Sequence, residues 1–198
     1  TLENAVVTAS ILNSFIRNSG VVCMANYSTF VNINGAISTK KDGIVKRAQY
    51  PVFELYGNKT GKYLAETETD SECFRILMPH DYRALQRQRP GRASGALSEI
   101  PYLDCVTTVA EDGGRICLHV VNKNRDQAYE TMIRLMETAP GIRGKAVHYE
   151  IYHKDLHACN TADAIEVKIE AIPLEAAEEG IRVVFREHSV NIVEIVLE

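Results

Sequence analysis

The chain has 198 residues, of which 45% are hydrophobic, and a formal net charge of −4. This hydrophobic content is enough for a real core and argues against wholesale disorder. The negative charge offers no attraction to nucleic acid or to an anionic membrane surface, and no apolar run approaches the roughly 20 residues that a membrane-spanning helix needs. We therefore expect one large globular domain or one and a half small ones, with neither nucleic acid nor membrane as a partner.

The cysteine usage predicts a reducing compartment. The cysteines are odd in number and scattered along the chain, which is typical of free thiols. They are Cys23, Cys73, Cys105, Cys117 and Cys159. We therefore predict a cytoplasmic location. Because the sequence begins at Thr1 and not at Met, we also expect a fragment or a processed product, and a removed N-terminal signal stays open.

Three histidines lie close together in the sequence, at His148, His153 and His157. On a strand, an offset of five residues would place the side chains of His148 and His153 on opposite faces. No Cys-x-x-Cys pair accompanies them. We therefore interpret them as ordinary surface or core histidines rather than zinc ligands, and we predict neither a metal nor a cofactor.

Residues 1–60 have the pattern of a helix, a strand and a helix. Apolar residues recur at helical spacing over residues 1–20, in a stripe broad enough to need a large partner. The stripe consists of Leu2, Ala5, Val6, Ala9, Ile11, Leu12, Phe15 and Ile16. Residues 21–25 form a short, continuous apolar run, which fits a parallel strand buried on both faces. A loop over 26–37 and a second helix from Tyr50, with Pro51 in its first turn, complete a unit typical of an α/β barrel.

Residues 74–100 contain a cluster of arginines around a Pro-Gly pair. The arginines are Arg83, Arg87, Arg89 and Arg92. Such a cluster fits either an anion or nucleic-acid site or a solvated loop. We favour the loop, because aromatic residues are not regularly interleaved with the charges.

The clearest local signal is a β-hairpin over residues 102–125. Its turn at residues 111–114, Glu-Asp-Gly-Gly, supplies the positive φ angles that a tight turn needs. Alternate apolar positions share one face of each arm, namely Leu103, Cys105, Thr107 and Val109 on the first and Ile116, Leu118 and Val120 on the second. Cys105 and Cys117 lie on opposite arms but out of register, so we do not expect them to face each other.

Alternating apolar residues continue from this hairpin to the C-terminus. They predict strands near 129–135, 147–151, 165–169 and 181–185, and a final interior strand over 190–197. A further strand is predicted at 62–68, and a short acidic helix or turn at 174–179. The predicted fold class is mainly β, with residues 62–198 forming an antiparallel, jelly-roll-like β-sandwich.

Several sequence blocks, taken in order and spacing, resemble one family. They are LENAVVTASILNSFIR at 2–17, VCMANYSTFVN at 22–32, YPVFELY at 50–56, PYLD at 101–104, VVNKN at 120–124, HKDLHACNT at 153–161 and EHSV at 187–190. The chain resembles the C-terminal portion of the glycoside hydrolase family 51 α-L-arabinofuranosidases. Residues 74–100 lie outside the match.

The resemblance implies a domain organisation and a set of partners. In that family a TIM barrel carries the chemistry and a C-terminal β-sandwich packs on it. Residues 1–60 would then be the last helix-strand-helix elements of the barrel, and residues 62–198 the sandwich. The family mechanism is retaining, but both catalytic glutamates lie on earlier barrel strands, so we expect no catalytic residue in this chain. The expected partners are the remainder of the barrel and, in the full enzyme, an arabinose-containing oligosaccharide.

Two residues are predicted to bind substrate by this resemblance. Asn26 and Thr29 follow the last barrel strand, and active sites of α/β barrels lie at the C-terminal ends of strands. The alternative for Asn26 is a hydrogen bond to loop backbone. Thr29 takes the position at which the family usually has a glutamine, and its reach is shorter. Three other acidic residues are interpreted as structural, namely Glu54, Asp104 and Asp155.

The leading functional hypothesis is a structural region that completes and buttresses a glycosidase barrel without activity of its own. The rival is an autonomous carbohydrate-binding module, which would stack sugars on exposed aromatic rings. The chain has no Trp, and most of its nine tyrosines fall in core patterns. An independent enzyme would need a nucleophile–base pair that the sequence does not offer. We also expect the isolated chain to self-associate through Val6, Ile11, Phe15 and residues 21–25.

Overall fold

The computed structural model describes residues 1–75, 99–135, 145–177 and 179–197. The helices are α1 (Leu2–Arg17) and α2 (Tyr50–Lys59). The strands are β1 (Ile37–Lys40), β2 (Gly43–Lys46), β3 (Tyr63–Ala65), β4 (Cys73–Arg75), β5 (Glu99–Pro101), β6 (Leu103–Val109), β7 (Arg115–Asn122), β8 (Tyr129–Ile133), β9 (Ala146–Ile151), β10 (Ile169–Leu174), β11 (Ala176–Ala177), β12 (Gly180–Phe185) and β13 (Val190–Val196). Within these residues, neither helix is long and apolar enough to cross a membrane.

An antiparallel sheet of six strands forms the centre of the molecule, in the order β10-β9-β13-β7-β6-β3. The predicted hairpin supplies β6 and β7, with Gly113 at φ +73° in its turn. Cys105 lies opposite Val120, and Cys117 lies opposite Thr108. The two cysteines therefore do not face each other, as predicted. The apolar C-terminal strand β13 lies between β7 and β9. Its residues are buried on both faces because alternate side chains enter the cores on opposite sides of the sheet.

This sheet separates two hydrophobic cores. On one face, α1 and α2 pack over the sheet, and the core between them includes Leu2, Ala5, Ala9, Val52, Leu55, Val121 and Ile192. On the other face lies the sheet β11-β12-β8, and the core between the sheets includes Leu103, Val120, Ile181, Phe185, Val193 and Ile195. Every strand pair among the described residues is antiparallel. The predicted mainly β sandwich is confirmed, and a helical layer covers one of its faces.

Helix α1 is apolar on two sides. One side is buried against the sheet through residues such as Ala5 and Ala9. The other side exposes Val7, Ile11 and Phe15, which are 53%, 49% and 36% accessible and follow each other at four-residue spacing. The broad stripe predicted for this helix therefore has two faces, and the described chain covers one of them.

Residues 21–25 do not form the predicted strand. The backbone N–H groups of Val21 and Val22 both donate to the carbonyl oxygen of Asn18, at 2.9 Å, so a turn follows α1 directly. The side chains of Val21 and Met24 are 82% and 79% accessible. A buried parallel strand needs hydrogen-bonded neighbours, and the described residues offer none to this segment. The helix–strand–helix prediction is thus correct for both helices and wrong for the strand.

The predicted strand at 165–169 begins late, at Ile169. The side chain of Asn160 explains the delay. Its Nδ2 donates to the carbonyl oxygen of Val167, and its Oδ1 accepts from the backbone N–H groups of Glu166 and Val167, all within 2.8–3.0 Å. These bonds occupy the backbone groups that a sheet neighbour would otherwise bind, so regular pairing starts only afterwards.

Three further predictions differ in detail from the structure. The short acidic helix or turn at 174–179 is instead the end of β10 followed by β11. The strand predicted at 62–68 is reduced to β3. The region 74–100, predicted as a loop, begins and ends in the paired strands β4 and β5. Its arginines at 83, 87, 89 and 92 lie outside the described residues.

Candidate functional site

The candidate site is built on the loop that follows residues 21–25, and the loop is held by hydrogen bonds to its own backbone. The N–H of Asn32 donates to the carbonyl of Ile37 at 2.7 Å, and the N–H of Ile37 donates to the carbonyl of Phe30 at 3.1 Å. The Tyr27 hydroxyl donates to the carbonyl oxygen of Asn34 at 3.0 Å. These bonds fold residues 27–37 into a compact unit.

Two sequence features permit this fold. Asn32 has a φ of +59°, a left-handed conformation that asparagine tolerates better than most residues. Its Oδ1 also accepts from the backbone N–H and the hydroxyl of Thr39, at 2.8 and 3.0 Å. Gly35 is required by close approach, since a Cβ there would lie 2.3 Å from the carbonyl oxygen of Phe30.

Arg47 ties the loop to the start of α2. Its Nη1 donates to the carbonyl oxygens of Ile33, at 2.6 Å, and of Gly35, at 3.3 Å. The rings of Tyr27, Phe30 and Phe53 meet edge to face beside this clamp, with centroid distances of 5.1–6.2 Å. The loop is therefore anchored to α2 by one guanidinium and three rings.

The two predicted substrate-binding residues lie on this loop. Asn26 and Thr29 are both exposed, and neither side chain takes part in the hydrogen bonds that shape the loop. The peptide bond between Ser28 and Thr29 is cis. The structure thus brings the two residues to one surface segment and leaves their polar groups accessible.

A groove of about 670 Å³ lies between this loop and the N-terminal half of α1. It is lined by Thr1, Asn4, Val7, Thr8, Ile11, Tyr27, Asn34, Arg47, Ala48, Gln49, Cys159 and Asn160. Gln49 is 6% accessible, and its Oε1 atom has no hydrogen-bond partner among the described residues. Sequence reasoning did not find Arg47 or Gln49, because their roles depend on contacts with distant segments and no local pattern marks them.

Large apolar side chains are accessible on α1 and on the residues that follow it, and we call this set the uncovered face. It consists of Val7, Ile11 and Phe15 on α1, Val21 and Met24 after it, and Tyr27, Phe30, Val31 and Ile33 on the loop. Val6 does not belong to it, because its side chain is buried against the sandwich. The prediction that Val6 contributes to self-association is therefore wrong, whereas Ile11 and Phe15 are accessible.

The buried carboxylates of the described residues serve structural ion pairs. Glu150 is 1% accessible and is bound by the guanidinium of Arg186, whose Nε lies 3.0 Å from each carboxylate oxygen. Burial favours the neutral form of Glu194, but hydrogen bonds from Lys59, Arg115 and Tyr149 outweigh this effect and lower the pKa of that carboxyl. Both glutamates are therefore bound to cationic side chains.

The other acidic residues singled out in the sequence have local roles. Asp104 binds Arg17 through its Oδ1, which joins α1 to β6. The Oδ1 of Asp155 accepts from the backbone N–H of His157 at 2.8 Å, as in an Asx turn. Glu54 is exposed on α2. The structure agrees with the structural interpretation of all three.

The histidines lie in separate environments. Burial lowers the pKa of His148, partly opposed by the hydrogen bond between its Nε2 and Asn191 Oδ1. His153 binds loop backbone around Asp155. No group of three or more metal-binding side chains occurs in residues 1–75, 99–135, 145–177 and 179–197.

The polar residues of the sequence blocks join loops rather than line a pocket. Asn122 Nδ2 donates to the carbonyl oxygens of Gln127, Phe185 and Arg186 at 2.9–3.1 Å. His188 lies between the carbonyl oxygens of Arg125 and His153, at 2.8 and 3.0 Å from its ring nitrogens. The polar residues of these blocks therefore hold neighbouring loops of the sandwich together.

Comparison with known proteins is consistent across sequence and structure. Two curated relatives are named "Probable alpha-L-arabinofuranosidase C". The one from Aspergillus niger is 26% identical over 192 residues, covering 97% of this chain and 34% of that protein. The one from Aspergillus clavatus is 25% identical over 170 residues, covering 85% and 30%. The chain thus spans about a third of the length of the curated relatives it matches.

Solved structures give the same picture. The α-L-arabinofuranosidase of Thermotoga maritima in complex with arabinose matches with a TM-score of 0.83 and 27% identity, over 99% of this chain and 38% of that one. The GH51 α-L-arabinofuranosidase of Thermotoga petrophila matches with a TM-score of 0.80 and 26% identity, over 96% and 37%. The family described as "Alpha-L-arabinofuranosidase C-terminal domain" matches residues 1–189. The chain therefore belongs to the α-L-arabinofuranosidase C-terminal domain family, as its sequence blocks predicted.

Proposed function

We propose that this chain is the C-terminal accessory region of an α-L-arabinofuranosidase-like retaining glycosidase that acts on arabinose-containing polysaccharides. Residues 1–60 complete the catalytic barrel, residues 62–198 buttress it, and the chain is not catalytic by itself. Beside family membership, one observation supports this proposal. The uncovered face leaves a row of large apolar side chains accessible on α1 and its loop, and surfaces of this kind normally have a partner.

The chemistry of the reaction supports a non-catalytic role. A retaining glycosidase needs two carboxyl groups about 5–5.5 Å apart, one of them a proton donor with a raised pKa. The buried carboxylates of Glu150 and Glu194 are instead held by cations, and the pKa of Glu194 is lowered. We therefore assign both catalytic carboxylates to the remainder of the barrel.

We further propose that Asn26 and Thr29 contact the sugar in the complete enzyme. Their side chains are accessible on a loop whose backbone is held by Arg47 and Asn32. An amide and a hydroxyl are suitable partners for sugar hydroxyl groups. The cytoplasmic location stays a prediction.

The test compares the isolated chain with the complete protein encoded by the same reading frame. Hydrolysis of an aryl α-L-arabinofuranoside is measured for both, and product configuration is followed for the complete protein. We expect turnover with retention in the complete protein and none above background in the isolated chain. Turnover by the isolated chain that one acidic substitution within it abolishes would refute the proposal, as would an inactive complete protein.

The isolated chain also tests the alternative function, a carbohydrate-binding module. The exposed tyrosines of the described residues, Tyr27 and Tyr63, lie on separate elements, whereas a binding module usually presents its rings together. We expect no retardation of the isolated chain in gels that contain arabinan or arabinoxylan. Strong retardation would favour the binding module over the accessory role.

A further inference from the structure

Aromatic rings fix the loop directly beside the two candidate sugar contacts. Tyr27 is the residue after Asn26. Phe30 is the residue after Thr29, and its ring lies 6.2 Å from that of Tyr27. Both rings also contact Phe53 on α2, at centroid distances of 5.1 and 5.3 Å. The positions of Asn26 and Thr29 therefore depend on how the loop lies against α2.

Arg47 holds the segment of the loop that Tyr27 binds. The Tyr27 hydroxyl donates to the carbonyl oxygen of Asn34 at 3.0 Å. The Nη1 atom of Arg47 donates to the carbonyl oxygens of Ile33, at 2.6 Å, and of Gly35, at 3.3 Å. Since Ile33 and Gly35 flank Asn34 in the sequence, one guanidinium fixes the backbone on both sides of the acceptor that Tyr27 uses.

The backbone next to Arg47 is in turn held by the sandwich. The side chain of Asn160 lies between the two, and the residue is 9% accessible. Its Nδ2 donates to the carbonyl oxygen of Lys46 at 2.9 Å and to that of Val167 at 2.8 Å. Its Oδ1 accepts from the backbone N–H of Val167 at 2.8 Å. One buried amide thus joins the sandwich to the residue that precedes Arg47.

We infer that Arg47 is a positioning residue for sugar binding, and that Asn160 links this positioning to the sandwich. The inference rests on the proposed function, in which Asn26 and Thr29 contact the sugar. Arg47 acts through the loop backbone to which its Nη1 is bonded. A substrate contact has to be held within about 0.5 Å of its productive place, so a loosened loop weakens binding. The sandwich then supports the sugar-binding loop in particular, beyond supporting the barrel as a whole.

The first test measures hydrolysis of an aryl α-L-arabinofuranoside by the complete protein. Arg47→Met removes the guanidinium and should raise KM about five-fold, the loss expected of one hydrogen bond to a sugar hydroxyl, with kcat changed by less than about two-fold. Arg47→Lys should recover part of the lost affinity, because an ammonium group can donate to one of the two carbonyl oxygens. Arg17→Met is the matched control. Arg17 also donates to a backbone carbonyl oxygen, that of Cys105 at 3.1 Å, but it binds β6 and not the loop, so KM should stay unchanged.

A combined variant shows whether Arg47 acts through the two loop residues. When Asn26→Ala and Thr29→Ala are both present, Arg47→Met should raise KM no further, because the contacts that it positions are gone. A further five-fold rise in this background would overturn the inference. If the loop substitutions raise KM and Arg47→Met alone does not, the inference fails and the proposed function stands. A complete protein without turnover would overturn both.

The second test follows backbone hydrogen exchange of the loop in the complete protein. The reporters are the N–H groups of Asn32, Gly35 and Ile37, which donate to carbonyl oxygens within the loop. Arg47→Met should accelerate their exchange by about ten-fold or more, because the loop opens more often. Exchange in β6 and β7 should stay unchanged. Loop exchange at the wild-type rate in Arg47→Met would overturn the inference.

Asn160→Asp tests the link to the sandwich, because it removes the amide donor to the Lys46 carbonyl oxygen and keeps the shape of the side chain. KM and loop exchange should both rise as in Arg47→Met. Asn122→Asp is the matched control, since Asn122 Nδ2 also donates to buried backbone carbonyl oxygens of the sandwich. It should lower the melting temperature without changing KM. Asn160→Ser, which introduces no charge, repeats the test if the aspartate variant does not fold. Wild-type KM and loop exchange in the Asn160 variant would overturn the link.

Discussion

The two faces of the six-stranded sheet carry cores that are completed in different ways. Toward β12, the core is enclosed by strands on both sides, and Phe185, Ile181 and Ile195 are almost inaccessible. Toward the helices, the inner core is equally buried, but α1 has a second apolar face that the described chain leaves open. The difference teaches that the core between the two sheets is enclosed by the described residues, whereas the helical layer leaves one apolar face of α1 uncovered.

The largest expected effect on stability comes from a substitution in the core between the two sheets. Phe185→Ala should lower the free energy of unfolding by about 3–5 kcal/mol, because the ring is buried and its removal leaves a cavity. Urea unfolding of the isolated chain measures the change. Phe15→Ala, on the uncovered face, is the matched control and should cost less than about 1 kcal/mol. Equal losses for the two phenylalanines would show that α1 is enclosed on both sides.

A second expected effect concerns pH and distinguishes the two faces by their buried histidines. Toward the helices, burial lowers the pKa of His119 to about 4, and its ring lies 4.9 Å from that of Tyr56. Since the ordinary pKa of histidine is about 6.5, the unfolded chain binds a proton between pH 6.5 and 4 that the folded chain does not. Stability should therefore fall as the pH drops through this window, by about 2–3 kcal/mol from His119.

The variant His119→Phe tests this assignment. It should flatten the dependence of the unfolding free energy on pH between 6.5 and 4, and it removes the Nδ1 atom that has no partner among the described residues. Some dependence should remain from His148 on the opposite face, where burial also lowers the pKa. An unchanged pH profile in His119→Phe would show that His119 is protonated in the folded chain.

The third prediction concerns self-association of the isolated chain through the uncovered face. Replacing Ile11 and Phe15 together by lysine should weaken dimerisation by roughly 30-fold, which corresponds to about 2 kcal/mol of apolar burial. Sedimentation velocity over a concentration series measures the change. Ile165→Lys is the control, because Ile165 is exposed outside this face. A chain that stays monomeric at high concentration before any substitution would contradict the prediction.

Sequence reasoning succeeded where a structural signal is local. The turn at Gly113 and the alternation along β6 and β7 predicted the central hairpin and its register, and helical spacing predicted α1 and α2. It failed where a distant group decides the outcome. Asn160 delays β10 by binding the backbone of Val167, although the alternation alone predicted an earlier start.

The candidate site shows the same division. The loop and its two candidate sugar contacts were predicted from their place after an apolar run and from the family resemblance. The clamp of Arg47 on the carbonyl oxygen of Ile33 and the unsatisfied acceptor of Gln49 were not, because each depends on how the start of α2 lies against the loop or α1. The apolar run at 21–25 is typical of a buried strand, but such a strand requires hydrogen-bonded neighbours, and the described residues offer none. The segment therefore does not form a strand.

The smallest expected effect tests whether Thr29, on the loop beside the helical layer, contacts the sugar in the complete protein. Thr29 is exposed on the clamped loop, at the position where the family resemblance implies a glutamine, whose amide reaches further and offers both a donor and an acceptor. Thr29→Gln in the complete protein should therefore add a hydrogen bond to a sugar hydroxyl. Such a bond contributes about 0.5–1.5 kcal/mol, so kcat/KM on aryl arabinofuranosides should rise several-fold relative to other pentosides and hexosides.

Thr39→Gln is the control. Thr39 lies on β1 and binds the side chain of Asn32, so its substitution should affect all substrates alike. An unchanged kcat/KM on every glycoside for Thr29→Gln would place Thr29 outside the pocket and leave the uncovered face as a contact for polypeptide alone.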